Sequence, residues 1–352
     1  MHIPDGYLGP GTCVALYGGA APFWYLSLRK LRRALHTRMI PLLSLFSAFS
    51  FIVMMFNLPL PGGTTGHAVG VGIASIVLGP WASLLAISIA LAIQAIFFGD
   101  GGITAIGANC FNMAIVGSFA AYLVYRAIAG RSALGSPRRV FAAGAAGYIA
   151  INLSALVAAI EFGLQPTLYH DASGTPLYAP YPLHIAVPAM MIGHLTIAGL
   201  AEMGICSGIV AYLQRAEPSL LLRTAPAAPA TALSEAPRSL KPLWVALAML
   251  LILTPLGILA AGSAWGEWAP KDFAERTGRE QIATASGNQA PPVQAPQGLQ
   301  RLSSFWTAPM PRYAPPFLRS EPFGYLLSAM SGTGVILLVF ALAGRFTSRQ
   351  PE

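Results

Sequence analysis

Long stretches of predominantly apolar residues recur nine times along this chain of 352 residues. A helix needs about 20 such residues to cross the hydrocarbon core of a bilayer. Only 10% of the residues are charged, whereas soluble domains carry roughly 25%. We therefore predict an all-α polytopic membrane protein with candidate spans at residues 11–28, 40–60, 66–82, 83–99, 104–126, 140–163, 184–213, 242–263 and 323–343. The third and fourth candidates are short and share a Gly79-Pro80 break, so they could form one kinked or re-entrant unit.

The candidate spans fall into two groups. Residues 1–213 contain seven of them, and residues 241–352 contain two, which flank a polar loop at residues 264–322. The segment between the groups, residues 214–240, is rich in Ala and Pro and predicts a flexible cytoplasmic linker. This organisation indicates a fusion of two membrane subunits.

The distribution of basic residues predicts the orientation. Cytoplasmic loops carry an excess of Lys and Arg. Most of the 21 Lys and Arg residues lie at 29–39, 126–139, 214–241 and 344–352, and the short segments on the other side carry none. We therefore expect the N-terminus outside and the C-terminus in the cytoplasm, in a multi-pass protein of the bacterial inner membrane. The net charge of +8 then requires no nucleic-acid partner.

The first residues, Met1 and His2, carry the first candidate metal site. No basic region and no small-residue cleavage site follows them, so we expect no cleavable signal peptide and a free amine at Met1. The amine, the backbone amide of His2 and its imidazole place three nitrogens in nearly fixed positions. Such a set suits square-planar nickel(II) or copper(II) and can also accept cobalt(II). The alternative is a chain that begins Met-His by chance.

A glycine-rich loop at residues 59–67 ends in His67, on the same predicted side as the N-terminus. Glycine permits tight turns and the close approach of another segment. The hydroxyls of Thr64 and Thr65 could orient the His67 ring by hydrogen bonding. The alternative is a glycine-rich turn with an exposed histidine.

Three further polar residues lie near the same predicted face. Asn57 and Asn109 could hydrogen-bond to the segments that carry the histidines, and Asp100 could attract cations at the mouth of the site. Each is equally typical of a helix cap or a turn. Glu202 lies inside a span, where a carboxylate is costly, and we expect it to pair with another helix.

Three motifs in the first 213 residues resemble one family. They are MHIPDGYLGP at the N-terminus, MMFNLPLPGGTTGHAVG at 54–70 and IQAIFFGDGGITAIGANCFNMA at 93–114. Together they look like the CbiM/NikM family, the substrate-capturing S components of energy-coupling factor (ECF) transporters for cobalt and nickel. The resemblance implies a metal site made of the Met1 amine, the backbone and side-chain nitrogens of His2, and His67.

The second group of spans is similar to the small CbiN/NikN-type subunit, which has two spans and an outer loop and assists metal loading. Residues 255–257, 264–268 and 324–330 carry this resemblance. A Pro-Asp-Gly-Leu-Glu run of the kind found in many nickel-type partners is not present. Trp265 and Trp268 are equally typical of an aromatic belt at a membrane interface.

The resemblance implies uptake of divalent cobalt or nickel, with a transmembrane coupling subunit and cytoplasmic ATPases as partners. The chain has no Walker A sequence and no recognisable catalytic arrangement, so we expect no enzyme activity of its own. The ion would be bound as substrate, with no resident cofactor, and would serve a corrin ring or nickel enzymes. Because metal-binding imidazoles must be neutral, affinity should fall below about pH 6.

Two alternatives stay open. A self-sufficient secondary metal permease would need polar residues along a continuous path through the membrane, and the spans offer Glu202 and little else. A membrane sensor or scaffold without transport would be expected to carry a soluble signalling domain. The sequence does not choose between cobalt and nickel, because both accept the same nitrogens.

Overall fold

Helices form most of the chain in the computed structural model, which describes residues 1–31, 39–225, 239–260 and 262–348. A backbone in lipid must satisfy its hydrogen bonds internally, and a helix does this within one segment. Six helical stretches among these residues are long and apolar enough to cross a membrane: Pro80–Phe98, Ile106–Ala129, Pro137–Leu168, Leu183–Ala216, Lys241–Leu259 and Glu321–Arg345. The predicted all-α, multi-pass membrane fold is confirmed.

The first unit, up to residue 225, is a helical bundle. Its helices are α1 (Pro10–Leu31), α2 (Met39–Met54), α3 (Val71–Leu78), α4 (Pro80–Ile93), α5 (Ile106–Asn109), α6 (Gly117–Ala129), α7 (Pro137–Leu168), α8 (Leu183–Gly193) and α9 (Gly199–Ala216). Turns of π-helix extend α4 and join α5 to α6 and α8 to α9, at Gln94–Phe98, Cys110–Val116 and His194–Ala198. Helix α7 packs against α6, α8 and α9 at the centre of the unit. Helix α1 has 22 residues but is less apolar than the six spans, and α2 is shorter than they are.

The candidate span at residues 66–82 is not one continuous helix, and the break expected at Gly79-Pro80 is present. Strands β1 (Leu58–Leu60) and β2 (Thr64–Gly66) pair as an antiparallel hairpin, and α3 begins only after Gly70. Gly70 has a φ of 72° and Gly79 a φ of 77°, conformations that interrupt a helix on either side of α3. Pro80, which has no N–H to donate, then starts α4. The apolar stretch is therefore a broken helix whose first part has only eight residues.

The N-terminal segment is buried inside the first unit. Met1, His2 and Ile3 are 2%, 1% and 0% exposed. The Ile3 N–H donates to Asn109 Oδ1 at 2.8 Å, and Asn109 Nδ2 donates back to the Ile3 carbonyl at 3.1 Å. The carboxylate of Asp5 accepts the backbone N–H groups of residues 103 and 104. The segment is thus fixed against the loop that precedes α5.

The second unit consists of two membrane helices and a folded loop. The helices are α10 (Lys241–Leu253), which a 3-10 helix extends over Thr254–Leu259, and α14 (Glu321–Ser348). The loop between them contains α11 (Pro270–Ala274), α12 (Arg276–Ala285), α13 (Gln297–Leu302) and a 3-10 helix at Pro311–Tyr313. Both membrane helices pack on α2, so the second unit is joined directly to the first.

The folded loop packs over the N-terminal segment. The backbone N–H of Thr65 donates to the Ser263 carbonyl at 3.3 Å, and the Tyr7 hydroxyl donates to the Trp268 carbonyl at 2.7 Å. Trp265 and Trp268 are each 5% exposed and pack edge to face. They therefore belong to the packed interior and not to an aromatic belt facing lipid.

The predicted linker is partly structured. A 3-10 helix at Pro218–Thr224 follows α9, and Leu220, Leu221 and Leu222 are buried in it. It packs against α3. Three leucines in succession can bury apolar surface even within a segment otherwise rich in Ala and Pro. The remainder of the predicted linker, residues 226–238, lies outside the described residues.

Candidate metal centre

Two buried imidazoles meet where the N-terminal segment crosses the chain after β2. The ring centroids of His2 and His67 are 4.9 Å apart, and the ring planes make an angle of 64°. His67 lines a cavity of about 580 Å³ whose wall also includes Asp100, Glu267 and Tyr313. The two predicted histidine ligands are thus brought together, although 65 positions separate them in the chain.

The hydrogen bonds of His67 leave one ring nitrogen available to a metal ion. Its Nδ1 lies 3.0 Å from the Ala68 carbonyl oxygen. A carbonyl only accepts, so Nδ1 carries the proton and Nε2 keeps its lone pair in the neutral ring. Burial, followed by the nearby His2 ring and the N-terminal charge, lowers the pKa of His67 to about 3. His67 is therefore a neutral donor at physiological pH.

Both groups expected to bind metal at the N-terminus are held by carboxylates. The Met1 amine donates to Glu267 Oε1 at 3.1 Å, and His2 Nδ1 lies 2.5 Å from Asp100 Oδ1. The other ring nitrogen of His2, Nε2, is buried and has no hydrogen-bond partner in the described structure. Since an isolated buried ammonium is costly, Glu267 stabilises the buried position of the amine.

Asp100 is held in turn by the second unit. The Tyr313 hydroxyl donates to Asp100 Oδ2 at 2.5 Å, and Gln94 Nε2 donates to that hydroxyl at 2.9 Å. Burial alone would raise the pKa of Asp100, but the His2 ring and the hydrogen bonds hold this pKa below its ordinary value. Burial also raises the pKa of Tyr313, which therefore remains a donor. Tyr313 adopts a φ of 59°, a strained conformation that is found most often at functional sites.

The other predicted polar residues lie in different places. Asn109 forms two hydrogen bonds with the backbone of Ile3, next to His2, as predicted for a residue that supports the histidine-bearing segment. Asn57 lines the same cavity as His67.

The threonines of the loop do not orient the His67 ring. The Thr64 hydroxyl donates to the Pro61 carbonyl at 3.5 Å, within the turn of the hairpin. Thr65 lines the cavity, but the partner of His67 Nδ1 is the carbonyl of Ala68. The Ala68 carbonyl holds the His67 ring, and every residue has such a backbone group. The residue types in the loop therefore could not indicate this contact.

Side chains alone do not form a metal cluster at this position. Among the described residues, no three or more His, Cys, Asp or Glu side chains are grouped to hold a metal ion. Two imidazoles alone do not complete a four-coordinate set. The amine of Met1 and the amide nitrogen of His2 are the adjacent donors that would complete it, and both are nitrogens that nickel(II) accepts.

Sequence reasoning did not find Glu267 or Tyr313. Both belong to the second unit, and 266 positions separate Glu267 from its partner Met1. The one available signal for Glu267 was a charged residue between Trp265 and Trp268, two large apolar side chains that are both buried. A charge in that setting is rare unless it is paired.

Two family models match separate parts of the chain. Residues 2–220 match the family described as CbiM, the cobalt uptake substrate-specific transmembrane region, and residues 241–349 match the PDGLE domain. The second match holds although the chain has no Pro-Asp-Gly-Leu-Glu run. The resemblance of the two units to the CbiM/NikM and CbiN/NikN families is thereby confirmed.

Individual relatives cover nearly the whole chain. It is 55% identical over 344 residues to the fused nickel transport protein NikMN of Rhodobacter capsulatus, with 97% of each chain covered. It is 40% identical to the probable fused nickel transport protein LarMN of Lactiplantibacillus plantarum, with 96% of each covered. A crystal structure of a truncated transition metal transporter matches with a TM-score of 0.57 and 46% identity, over 60% of this chain and 98% of that one. The chain therefore belongs to the CbiM family of nickel and cobalt transport proteins, and carries a PDGLE domain fused behind the transmembrane region.

Proposed function

We propose that the chain is the substrate-binding membrane subunit of an ATP-driven ECF transporter that takes up nickel or cobalt. The ion would be held by four nitrogens, from the Met1 amine, the His2 amide, the His2 ring and the His67 ring. The observation that carries this proposal is the contact between the buried His2 and His67 rings beside the buried N-terminus. A buried imidazole pair with a free Nε2 and an adjacent amine offers donors that suit nickel and cobalt.

The surrounding carboxylates support the same proposal. Binding would exchange the protons of the Met1 amine and the His2 amide and ring for the ion. Asp100 and Glu267, which accept hydrogen bonds from these groups, would then offset the charge of the bound ion. Their negative charge beside the cavity would also attract cations to it.

The buried acids within the described spans argue against a self-sufficient permease. Asn112 Nδ2 donates to Glu161 Oε2 at 2.7 Å. The carboxylate of Glu202 accepts three backbone N–H groups. Acids held by protein groups in this way are poorly placed to pass an ion along, so we assign the driving force to partners: a transmembrane coupling subunit and cytoplasmic ATPases. We place the chain in the bacterial inner membrane, with the N-terminus outside, because its basic residues cluster at the other face.

We further propose that the second unit assists loading of the metal. Its Glu267 contacts the Met1 amine directly. Its Tyr313 contacts Asp100, the carboxylate that holds the His2 ring. Without it the buried amine would have no acidic partner among the described residues.

Uptake by vesicles distinguishes the transporter subunit from the permease. Vesicles that hold the chain with its coupling subunit and ATPases should accumulate radioactive nickel when ATP is enclosed. Vesicles with the chain alone, or with a non-hydrolysable ATP analogue, should not. ATP-independent accumulation by the chain alone would show that the permease alternative is correct.

Substitutions at the four-nitrogen set should abolish tight binding. We expect His67→Ala, His2→Ala and the addition of one residue before Met1 each to weaken nickel affinity more than about 100-fold, beyond the effect of losing an outer-shell partner. Isothermal titration calorimetry on the purified full chain measures this. His170→Ala is the matched control, since His170 lies in an exposed turn, and its affinity should equal that of the wild type. Unchanged affinity after extension of the N-terminus would exclude the amine as a ligand.

Protonation of His67 should not contribute to the pH dependence of nickel binding near neutral pH. The pKa of His67 is lowered to about 3, so its proton competes with the metal only near and below that pH. His67 therefore stays neutral between about pH 5 and 8. The ratio of wild-type to His67→Ala affinity should stay constant over that range, and a ratio that falls as the pH is lowered would contradict the assignment.

Removing the charge of Glu267 should slow metal capture. Glu267→Gln keeps a hydrogen-bond acceptor beside Met1 but removes the negative charge that attracts cations. We expect the association rate constant for nickel, measured by stopped flow at low salt, to fall roughly tenfold. The matched control is Glu280→Gln, because Glu280 is an exposed acid of the same loop paired with Arg276. Equal rates in the two variants would show that the second unit does not assist loading through this charge.

A further inference from the structure

One continuous segment holds both ends of α3, the short helix that begins just after His67. At the near end, Glu202 of α9 is fully buried. Its Oε2 accepts the N–H groups of Val69 and Gly70 at 2.8 Å and 2.9 Å, and its Oε1 accepts that of Gly72 at 3.2 Å. Three backbone donors within five residues of His67 are thus fixed by one carboxylate.

The far end of α3 is held by the 3-10 helix Pro218–Thr224, which follows α9 in the chain. Arg223 Nη1 donates to the Leu78 carbonyl at 3.1 Å, and the Thr224 hydroxyl donates to the Ile76 carbonyl at 3.3 Å. The last carbonyls of a helix have no partner within it. Arg223 and Thr224 supply that partner.

The charges at the two ends match the helix dipole. A carboxylate is favourable at a helix N-terminus and a guanidinium at a C-terminus. Glu202 and Arg223 provide this arrangement from one segment, residues 199–224. Because α3 has eight residues, it is roughly 12 Å long. It therefore connects Glu202 at one end with Arg223 at the other as a single rigid helix.

Close packing makes α3 a rigid element in tight contact with its neighbours. A Cβ atom on Gly72 would lie 2.8 Å from the Cα of Gly147 in α7. The Ser50 hydroxyl of α2 donates to the Val69 carbonyl at 2.7 Å. Tightly packed elements move as units and do not deform continuously. A displacement of the segment 218–224 would therefore move α3 and the backbone that carries His67.

We propose that Glu202 is a positioning residue for the metal ligand His67, and that α3 transmits movement of residues 218–224 to the metal centre. A partner that shifts this segment draws His67 away from His2, which removes one nitrogen from the four and releases the ion. The proposal rests on the proposed function, because it takes His67 to be a ligand. It adds that Arg223 and Thr224, at the C-terminal end of α3, act on the position of His67 through this helix and Glu202.

A double-mutant cycle tests the positioning role. In the purified full chain, Glu202→Gln replaces one acceptor oxygen with an amide donor that faces backbone N–H groups. We expect nickel affinity to fall about 10- to 100-fold, with no further loss when Glu202→Gln is added to His67→Ala. The absorption band of bound nickel should move toward the wavelength seen for His67→Ala, since Glu202→Gln weakens the bond to the nitrogen that His67→Ala removes. Glu161→Gln, also a buried acid of a span, is the control and should bind like the wild type.

Hydrogen exchange tests the transmission along α3. We expect Arg223→Ala to speed amide exchange at Val69 and Gly70, although Glu202 is intact. The control is Arg215→Ala, an exposed arginine at the end of α9, which should leave those amides unchanged. If amide exchange at Val69 and Gly70 is unchanged in Arg223→Ala, the proposal that α3 transmits movement to the metal centre is overturned.

The outcomes separate this inference from the proposed function. If His67→Ala binds nickel like the wild type, the four-nitrogen site is wrong. If His67→Ala weakens binding but Glu202→Gln does not, or if their effects add in full, the site stands and the positioning role of Glu202 is overturned.

Discussion

The ion pair between the Met1 amine and Glu267 is the interaction on which the proposed metal centre depends. A chain terminus is ordinarily solvated, and burying an unpaired ammonium is costly. Here the amine is buried beside His2, and a carboxylate from the other end of the chain lies 3.1 Å away. The pairing places the main-chain amine of Met1 next to two imidazoles. No side chain supplies a nitrogen of this kind.

Three further sets of contacts hold the Met1 amine and the two histidines in position. Asn109 and Asp5 fix the backbone of the N-terminal segment. The loop of the second unit covers it and supplies Glu267 and Tyr313. Glu202 fixes the start of α3 beside His67. Since these groups come from both units, the fusion of the two in one chain keeps every part of the centre at fixed stoichiometry.

The sequence predicted what depends on local pattern. Apolar stretches predicted most of the membrane helices, and motifs around Met1, His2 and His67 indicated the family. At residues 66–82 the sequence indicated the break at Gly79-Pro80, but apolar composition did not register the interruption at Gly70. Glu267 and Tyr313 could not be predicted, because their roles arise from contacts across more than 200 positions. The Ala68 carbonyl was equally hidden, since every residue has one.

The central claim is that the ion is bound by four nitrogens, two of them from the main chain. X-ray absorption spectroscopy of the nickel-loaded full chain measures this most directly. The account predicts a four-coordinate, square-planar nickel with nitrogen donors only, and the scattering signature of two imidazoles. A six-coordinate nickel, or one with oxygen donors from Asp100 or Glu267, would contradict it.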